Sequence, residues 1–261
     1  MATYEILKLD RQGAVATVTI DRPKALNALN AQTLREMAAA IAELDADLAV
    51  RVVVLTGGGE KAFVAGADIS EMAAMNVAQA RSFALGGGAV AEQLARSPRP
   101  WIAAVNGFAL GGGCELALAC DFVYAARNAK FGQPEVNLGV IPGFGGTQRL
   151  MRRCGVAKAK ELIFSGDVVS AEEALRIGLA DAVFEQADLL GKARAMADKI
   201  ASKGPLAIAR AKRVMDLGQS MALEAACTLE ADTFASLFDT ADQKEGMKAF
   251  LEKRPANFQG R

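Results

Sequence analysis

A strand, a glycine-rich turn and a helix follow one another twice in the sequence, near residues 51–75 and again near 101–120. A mostly apolar run at 51–55 ends in three consecutive glycines, and a second run at 102–105 ends in Asn-Gly. Short apolar runs bounded by turn residues are typical of strands buried on both faces. Strands of this kind alternating with helices predict an α/β fold with a largely parallel sheet.

Neighbouring segments fit this arrangement. Residues 14–20 alternate Val and Ile with small or polar residues and are typical of a strand, and 122–125 predicts another. A helix is predicted over 33–48, where apolar side chains up to Leu48 recur at helical spacing. Asn30 is its candidate N-cap.

The later part of the chain is mostly helical. Ser170 and Glu173 have the spacing of a capping box, and Pro205 fits the first position of a helix. No strand is predicted from about residue 196 onward. We therefore expect an α/β core with the functional site over 1–195 and a helical region over 196–261.

Histidine is absent from the 261 residues. This absence excludes Ser-His-Asp and Cys-His catalysis and imidazole-bound zinc or haem. Acid–base chemistry must then come from Asp, Glu, Lys, Tyr or Cys. The 4 cysteines form no Cys-x-x-Cys pair, so we predict reduced cysteines and no bound metal.

Charge and hydropathy also limit the expected partners. The 30 Lys and Arg balance the 30 Asp and Glu, whereas nucleic-acid-binding proteins usually carry a basic excess. The N-terminus has no basic region followed by an apolar run, so no signal peptide is predicted. The uncharged stretch 100–114 is shorter than the ~20 apolar residues of a membrane span. We expect a cytoplasmic protein with no nucleic-acid or membrane partner.

The first candidate for chemistry is the run of three glycines at 111–113, between a strand and a helix that begins near Cys114. Unpaired N–H groups at a helix start bind a phosphate, or an oxyanion that forms during a reaction. Glu115 lies in this first turn, where the helix dipole favours its charged form. Alternatively, the glycines form a close-packed turn and Glu115 is an ordinary first-turn carboxylate.

The second candidate is Glu135, which follows Pro134 and precedes an uncharged, glycine-rich run. A carboxyl group in apolar surroundings has a raised pKa, which suits proton transfer near neutral pH. The glycine-rich run is more typical of a pocket wall than of a surface loop. Alternatively, Glu135 is a solvated residue at the start of a helix.

A third glycine-containing turn, within 63–72, leads from an apolar stretch into a helix. Its N–H groups would supply a second donor, unless the turn is only a loop in which Asp68 caps the helix. Two glutamates with two glycine-rich donors suit a reaction with two proton transfers and an oxyanion. Such a reaction requires neither a nucleophile nor a metal.

Five segments together resemble the signature of the enoyl-CoA hydratase (crotonase) family, and they occur in the family's order. These segments are 22–30, 64–70, 105–115, 131–149 and 248–254. The resemblance covers nearly the whole chain. Within the family, the chain is most similar to the bacterial short-chain 3-hydroxyacyl-CoA dehydratases, of which crotonase acting on 3-hydroxybutyryl-CoA is the example.

The resemblance implies a crotonase-like spiral of ββα units with a C-terminal helical trimerisation region. It implies a hydro-lyase that reversibly adds water, in syn geometry, to a short-chain 2-enoyl-CoA in fatty-acid metabolism. The N–H groups of Ala67 and Gly112 would form the oxyanion hole, and Gly143 would help to position the water. Glu115 would take a proton from water while Glu135 protonates the α-carbon.

The resemblance also implies how coenzyme A is bound, as part of the substrate and with no separate cofactor. The residues that would line its path are Lys24, Leu26, Ala28, Ala65, Asp68, Ile69, Ser70, Phe250 and Lys253. The last two would come from a neighbouring subunit of a homotrimer, or of a homohexamer made of two trimers.

Two other functions remain open at this point. One is a Δ3,Δ2-enoyl-CoA isomerase or another CoA lyase of the same fold, and the other is a non-catalytic acyl-CoA- or RNA-binding protein. The presence of both glutamates and the absence of a basic stripe favour the hydratase. Bulky side chains that would cap the acyl pocket favour short acyl chains; they are Met72, Met75, Phe83, Leu85 and Phe144.

Overall fold

In a computed structural model, described for residues 3–261, the chain forms ten strands and eleven α-helices. The strands are β1 (Leu7–Gln12), β2 (Val15–Ile20), β3 (Val52–Gly57), β4 (Ala62–Val64), β5 (Trp101–Val105), β6 (Phe108–Leu110), β7 (Phe122–Ala126), β8 (Lys130–Gly132), β9 (Val168–Ser170) and β10 (Ala182–Phe184). The helices are α1 (Ala31–Ala46), α2 (Ile69–Met72), α3 (Val77–Arg96), α4 (Gly112–Ala119), α5 (Gly146–Cys154), α6 (Val156–Ser165), α7 (Ala171–Arg176), α8 (Leu189–Ala201), α9 (Pro205–Gly218), α10 (Leu223–Ser236) and α11 (Ala241–Leu251).

The strands form two sheets that the chain visits alternately. The six-stranded sheet has the order β1-β2-β3-β5-β7-β10 and is parallel except for the antiparallel pair β1–β2. The four-stranded sheet has the order β4-β6-β8-β9, with only β8–β9 antiparallel. Each of the pairs β3/β4, β5/β6 and β7/β8 places one strand in each sheet and is followed by helix. This confirms the spiral of ββα units.

The six-stranded sheet is covered on both faces. β3 and β5 are buried along their whole length, which explains why their sequences are continuously apolar. α1 and α3 contribute to the larger core on one side. On the other side, α8 packs Leu189, Ala193 and Ala197, which are spaced four residues apart, against Val52 and Ile102.

The predicted strands and helices are confirmed, with shifted bounds. The helix predicted over 33–48 is α1, and the Asn30 side chain caps it by accepting a hydrogen bond from the Thr33 N–H at 2.8 Å. α1 ends before Leu48. This residue was predicted to lie on the apolar face of the helix, but it is 85% exposed. Ser170 caps α7, and Pro205 begins α9.

Several elements were not predicted. β4, β6 and β8 are three residues long, too short to show a period of two in the sequence. The 20-residue helix α3 contains three consecutive glycines at 86–88, each of which weakens a helix by about 1 kcal/mol relative to alanine. A capping box of Asn76 and Gln79 fixes its N-terminus.

The predicted boundary between 1–195 and 196–261 falls inside α8, a helix that packs on the six-stranded sheet. After α8, the described chain contains helices and no strand. The division into a core and an oligomerisation region stays a prediction. Within residues 3–261, no helix has both the length and the apolar character needed to cross a membrane.

A buried lysine connects α9 to the core. The Lys212 ammonium donates to the Asp121 carboxylate at 2.9 Å and to the carbonyls of Leu94 and Arg99 at 3.3 and 3.2 Å. Asp121 also accepts the Trp101 N–H at 2.7 Å. The Lys212 side chain is only 8% exposed, and its three N–H donors have three acceptors. The ion pair therefore joins the helical region to the first residue of β5.

We predict that Lys212→Met lowers the free energy of unfolding by about 3 kcal/mol, because it leaves the Asp121 carboxylate without its opposite charge and removes a donor from two carbonyls. Chemical denaturation followed by circular dichroism measures the change. Lys192→Met is the matched control, since Lys192 is exposed on α8. An equal midpoint for the two variants would contradict the prediction.

Candidate active site

Two buried asparagine side chains hold the strand ends next to which the candidate site lies. Asn106 follows β5; its amide nitrogen donates to the Gly57 carbonyl at 3.0 Å, and its oxygen accepts the Gly57 N–H at 3.2 Å. Asn27 donates to the carbonyls of Gly58 and Ala62 at 3.0 and 2.8 Å. These bonds join the turns after β3 and β5 to the segment before α1.

The segment before α1 then pairs with the turn after β4. The Ala65 N–H donates to the Leu26 carbonyl at 3.0 Å, and the Leu29 N–H donates to the Gly66 carbonyl at 2.8 Å. The Asp68 N–H returns to the Leu29 carbonyl at 2.8 Å. These bonds hold the turn in place, and they leave the Ala67 N–H for another acceptor.

The N–H groups of Ala67 and of Gly112, the first residue of α4, have no acceptor among the described residues 3–261. The two turns touch, since a side-chain carbon built on Gly111 would lie 3.8 Å from the Gly66 Cα. Unused donors on touching turns, one of them at a helix N-terminus, suit an oxyanion.

Glu115 lies in the first turn of α4 and is 1% exposed. Its Oε1 accepts hydrogen bonds from the N–H groups of Phe144 at 2.7 Å and Gly146 at 2.6 Å. A Cβ at Gly146 would come within 2.9 Å of Glu115, so glycine is required for this approach. Burial raises the pKa of Glu115, while the two N–H donors and Arg149 act in the opposite direction.

Glu135 lies in the 3-10 helix Pro134–Leu138 and is half-buried. Burial and, to a smaller extent, the charge of Glu115 raise its pKa to about 7. Its Oε1 would lie 3.0 Å from a Cβ at Gly111, the residue that precedes the free N–H of Gly112. The structure therefore brings the two predicted glutamates and the two predicted donors to one site.

Gln133 belongs to this site, although sequence analysis did not single it out. It is fully buried. In the amide orientation that satisfies both its oxygen and its nitrogen, the nitrogen donates to Oε1 of Glu135 at 2.9 Å and to Oε2 at 3.2 Å. Gln133 directly follows β8, which fixes the position of its backbone. The sequence shows only that Gln133 lies two residues before Glu135. Its burial, which gives the contact its importance, is not visible in the sequence.

Most of the residues predicted for coenzyme A lie side by side. Leu26 and Leu29, on either side of Ala28, are paired through the backbone with the turn that carries Ala65 and Asp68. Arg22 donates to the Ala28 carbonyl and forms an ion pair with Asp68 at 3.2 Å. The predicted residues found on these adjoining segments are Lys24, Leu26, Ala28, Ala65, Asp68, Ile69 and Ser70.

Asp68 is also a helix cap, as the alternative interpretation expected. Its carboxylate accepts the Ser70 hydroxyl at 2.6 Å and the Ser70 N–H at 3.3 Å. The Ser70 hydrogen bond and the nearby Arg22 lower the pKa of Asp68. Ile69 is 48% exposed on α2, so an apolar surface is open beside this charged pair.

Phe250 and Lys253 lie elsewhere in the chain, on and just after α11. Phe250 is 83% exposed. In the described part of one chain, neither residue makes a hydrogen bond, ion pair or ring contact with the turn 65–70. Gly143 is exposed next to Phe144. The described residues include no group of three or more Cys, Asp and Glu placed to hold a metal ion.

Residues 10–261 match the enoyl-CoA hydratase/isomerase family. The chain belongs to this family. It is 52% identical over 246 residues to the short-chain-enoyl-CoA hydratase of Clostridium acetobutylicum, covering 94% of each chain. It is 50% identical over 255 residues to the crotonyl-CoA hydratase of Syntrophomonas wolfei, covering 98% of each.

The fold is also that of solved structures of the family. The crystal structure of an enoyl-CoA hydratase from Bacillus anthracis superposes with a TM-score of 0.96, at 41% identity, over 98% of this chain and all of that one. An enoyl-CoA hydratase subunit from Geobacillus kaustophilus gives 0.93 at 42% identity. The family resemblance of the sequence motifs is therefore confirmed.

We predict that kcat/KM falls as pH rises through about 7, because the Glu135 proton is lost there. The fall should be the same for hydration and dehydration, since the reaction takes up no net proton and both directions need one proton shared by the two glutamates. Initial rates measured across this pH range, with a short-chain 2-enoyl-CoA for hydration and its 3-hydroxyacyl-CoA product for dehydration, test it. Glu161→Gln, an exposed change on α6, should keep the profile; a rate that rises through pH 7 would contradict the assignment.

We predict that Gln133→Leu raises the pH at which kcat/KM falls by about one unit, because removal of donors to the Glu135 carboxylate destabilises its charged form. The kcat should fall as well, since the carboxyl group loses its orientation. Gln148→Leu, on the exposed face of α5, is the control. A lower kcat, with kcat/KM falling at the same pH as in the wild type, would show that Gln133 only fills space.

Proposed function

We propose that the chain is an enoyl-CoA hydratase that reversibly adds water across the double bond of a short-chain 2-enoyl-CoA such as crotonyl-CoA. The observation that carries this proposal is the meeting of Glu115 and Glu135 beside two N–H groups without an acceptor. The names of the two bacterial relatives, at 52% and 50% identity, support the hydratase activity and the short acyl chain.

Addition of water to the β-carbon places negative charge on the thioester oxygen. The N–H groups of Ala67 and Gly112 would donate hydrogen bonds to that oxygen, and one preorganised donor of this kind contributes about 3 kcal/mol in other enzymes. The dipole of α4 adds to the effect, because Gly112 is its first residue. The donors do not have to reorganise, since the backbone pairing of 26–29 with 65–68 holds the turn.

The surroundings of the two glutamates support one assignment of their roles in hydration. Two N–H donors on Glu115 favour its charged form, so it takes the proton from water. Glu135 has a pKa of about 7 and keeps a proton that it can donate to the α-carbon. If both act from one side of the substrate, as we propose, the addition is syn. In dehydration the two roles are exchanged.

The runner-up function is a Δ3,Δ2-enoyl-CoA isomerase, or another CoA lyase, on the same scaffold. Isomerisation moves one proton between two carbons and needs a single carboxylate. Here a second carboxylate, Glu115, is buried and held by two N–H donors at the same site. An isomerase gives no reason for this arrangement, so the hydratase is favoured. A purely binding protein is disfavoured for the same reason.

We further propose a homotrimer, alone or paired into a homohexamer. Large apolar side chains on α9–α11 are exposed in a single chain, and such a surface is typical of an interface between subunits. They include Met215, Leu223, Phe234, Phe250 and Leu251. In such an assembly Phe250 and Lys253 would reach the coenzyme A of a neighbouring subunit. Within each active site, we propose that Gly143 helps to position the water.

The proposed setting follows from the substrate. Water and the coenzyme A thioester are the only reactants, so no separate cofactor or metal is proposed. The balanced charge favours neither nucleic acid nor membrane as a partner. We propose a cytoplasmic enzyme of fatty-acid metabolism.

The test is steady-state hydration of crotonyl-CoA by the wild-type protein, Glu115→Gln and Glu135→Gln. We expect kcat to be lower by about 10²–10⁴-fold in each variant, because this is the usual contribution of a positioned acid or base. Binding of butyryl-CoA, measured by calorimetry, should persist in both variants, which separates lost chemistry from lost binding.

The outcomes discriminate between the candidate functions. Wild-type turnover with both variants impaired supports the two-glutamate hydratase. Double-bond migration without hydration, retained in Glu115→Gln, would identify an isomerase. Binding without any turnover would leave a binding protein.

A further inference from the structure

The two N–H groups that hold Glu115 lie on either side of Gly145, a residue that cannot carry a side chain. Its φ of 103° is in the left-handed region, and a Cβ built on it would collide with Nη1 of Arg149. N–H groups around a residue in this conformation form a concave site for an anion. The Arg149 guanidinium therefore lies directly against the turn that binds the Glu115 carboxylate.

Two hydrogen bonds hold the guanidinium in this position. Nη1 of Arg149 donates to the Phe144 carbonyl at 3.0 Å, and Nη2 donates to the Glu92 carboxylate on α3 at 3.4 Å. Phe144 thus accepts a hydrogen bond from Arg149 and donates its own N–H to Glu115 at 2.7 Å. The Arg149 side chain is 21% exposed, and it connects α3 and α5 with the turn at the edge of the site.

The position of Arg149 is unfavourable for its own helix. Arg149 is the fourth residue of α5, and its side chain returns to the turn that precedes the helix. A cation is disfavoured at this end of a helix, because the helix dipole is positive there. The carboxylates of Glu115 and Glu92, which lie near the same helix end, give a physical reason for a cation at this place.

The other titratable groups around Glu115 do not carry a positive charge. Glu135 lies at the same site, and Glu92 on α3 is bonded to Arg149. Cys114, the preceding residue of α4, is fully buried, and burial raises the pKa of its thiol, which stays neutral. Burial also raises the pKa of Glu115, whereas the two N–H groups of the turn and the charge of Arg149 act in the opposite direction.

Resting on the proposed hydratase function, we infer that Arg149 is a positioning residue for the base Glu115. Its guanidinium fixes the turn 144–146 and places a positive charge beside the carboxylate. Glu115 is thereby kept charged and in place to take a proton from water. This role is separate from that of Gln133, which contacts the other glutamate.

The test is the pH dependence of kcat/KM for hydration of crotonyl-CoA in the wild type, Arg149→Gln and Arg149→Lys. At low pH, kcat/KM falls when Glu115 gains a proton. Arg149→Gln keeps a hydrogen-bond donor but removes the charge, so this fall should occur about one pH unit higher, because a nearby opposite charge lowers the pKa of a carboxyl group.

Arg149→Lys separates the charge from the hydrogen bonds. Lysine keeps the positive charge but has no planar fork with which to bond the Phe144 carbonyl and Glu92 together. The fall at low pH should therefore stay at the wild-type pH. The kcat should still be lower by about 10-fold, because the turn that holds Glu115 is less firmly placed.

Arg152→Gln is the matched control, because it removes the same charge from an exposed position on the same helix. It should keep both the wild-type kcat and the wild-type pH dependence. A lower kcat in Arg149→Gln with an unchanged pH dependence would overturn the inference, since a purely structural residue gives that result. If Arg149→Gln does not fold, a wild-type kcat in Arg149→Lys would overturn it. In these cases the proposed function stands, whereas a wild type that does not hydrate crotonyl-CoA would overturn both.

Discussion

The site depends on how the Glu115 carboxylate is held. A buried carboxylate without partners is strongly unfavourable, and two N–H groups, from Phe144 and Gly146, offset that cost. The same two bonds fix the segment before α5 against the start of α4. The proposed base Glu115, the proposed oxyanion donor on Gly112 and the segment that carries Phe144 are thus parts of one hydrogen-bonded unit. A change in any of these parts would be transmitted to the others through a few backbone atoms.

Glycine and asparagine make this unit possible at some cost in local stability. A Cβ at Gly113 would lie 1.9 Å from the Val64 carbonyl, so α4 can pack on β4 only without one. Buried Asn27 and Asn106 supply hydrogen bonds that the turns cannot make for themselves. These residues weaken regular structure where they stand. The continuous apolar strands β3 and β5 stabilise the sheet from which the turns extend.

Sequence reasoning found the chemistry better than the geometry. Glu115, Glu135 and the glycine turns stand out because few residue types can perform proton transfer in a chain without histidine. Gln133 was missed because its importance comes from burial and from its contact with Glu135. The strands β4, β6 and β8 were missed because three residues are too few to show periodicity. The helix predicted to reach Leu48 stops earlier, since Asp47 leaves the helical conformation.

By itself, the sequence determined the available acids and bases, the alternation of strand and helix, and the order of motifs that marks the family. Only the tertiary structure decided which groups meet. Glu115 is bonded by N–H groups 29 and 31 residues away along the chain, and Glu135 gains its pKa of about 7 from burial beside another element. Burial and hydrogen bonding are properties of contacts between distant segments, and a linear pattern of residue types does not contain them.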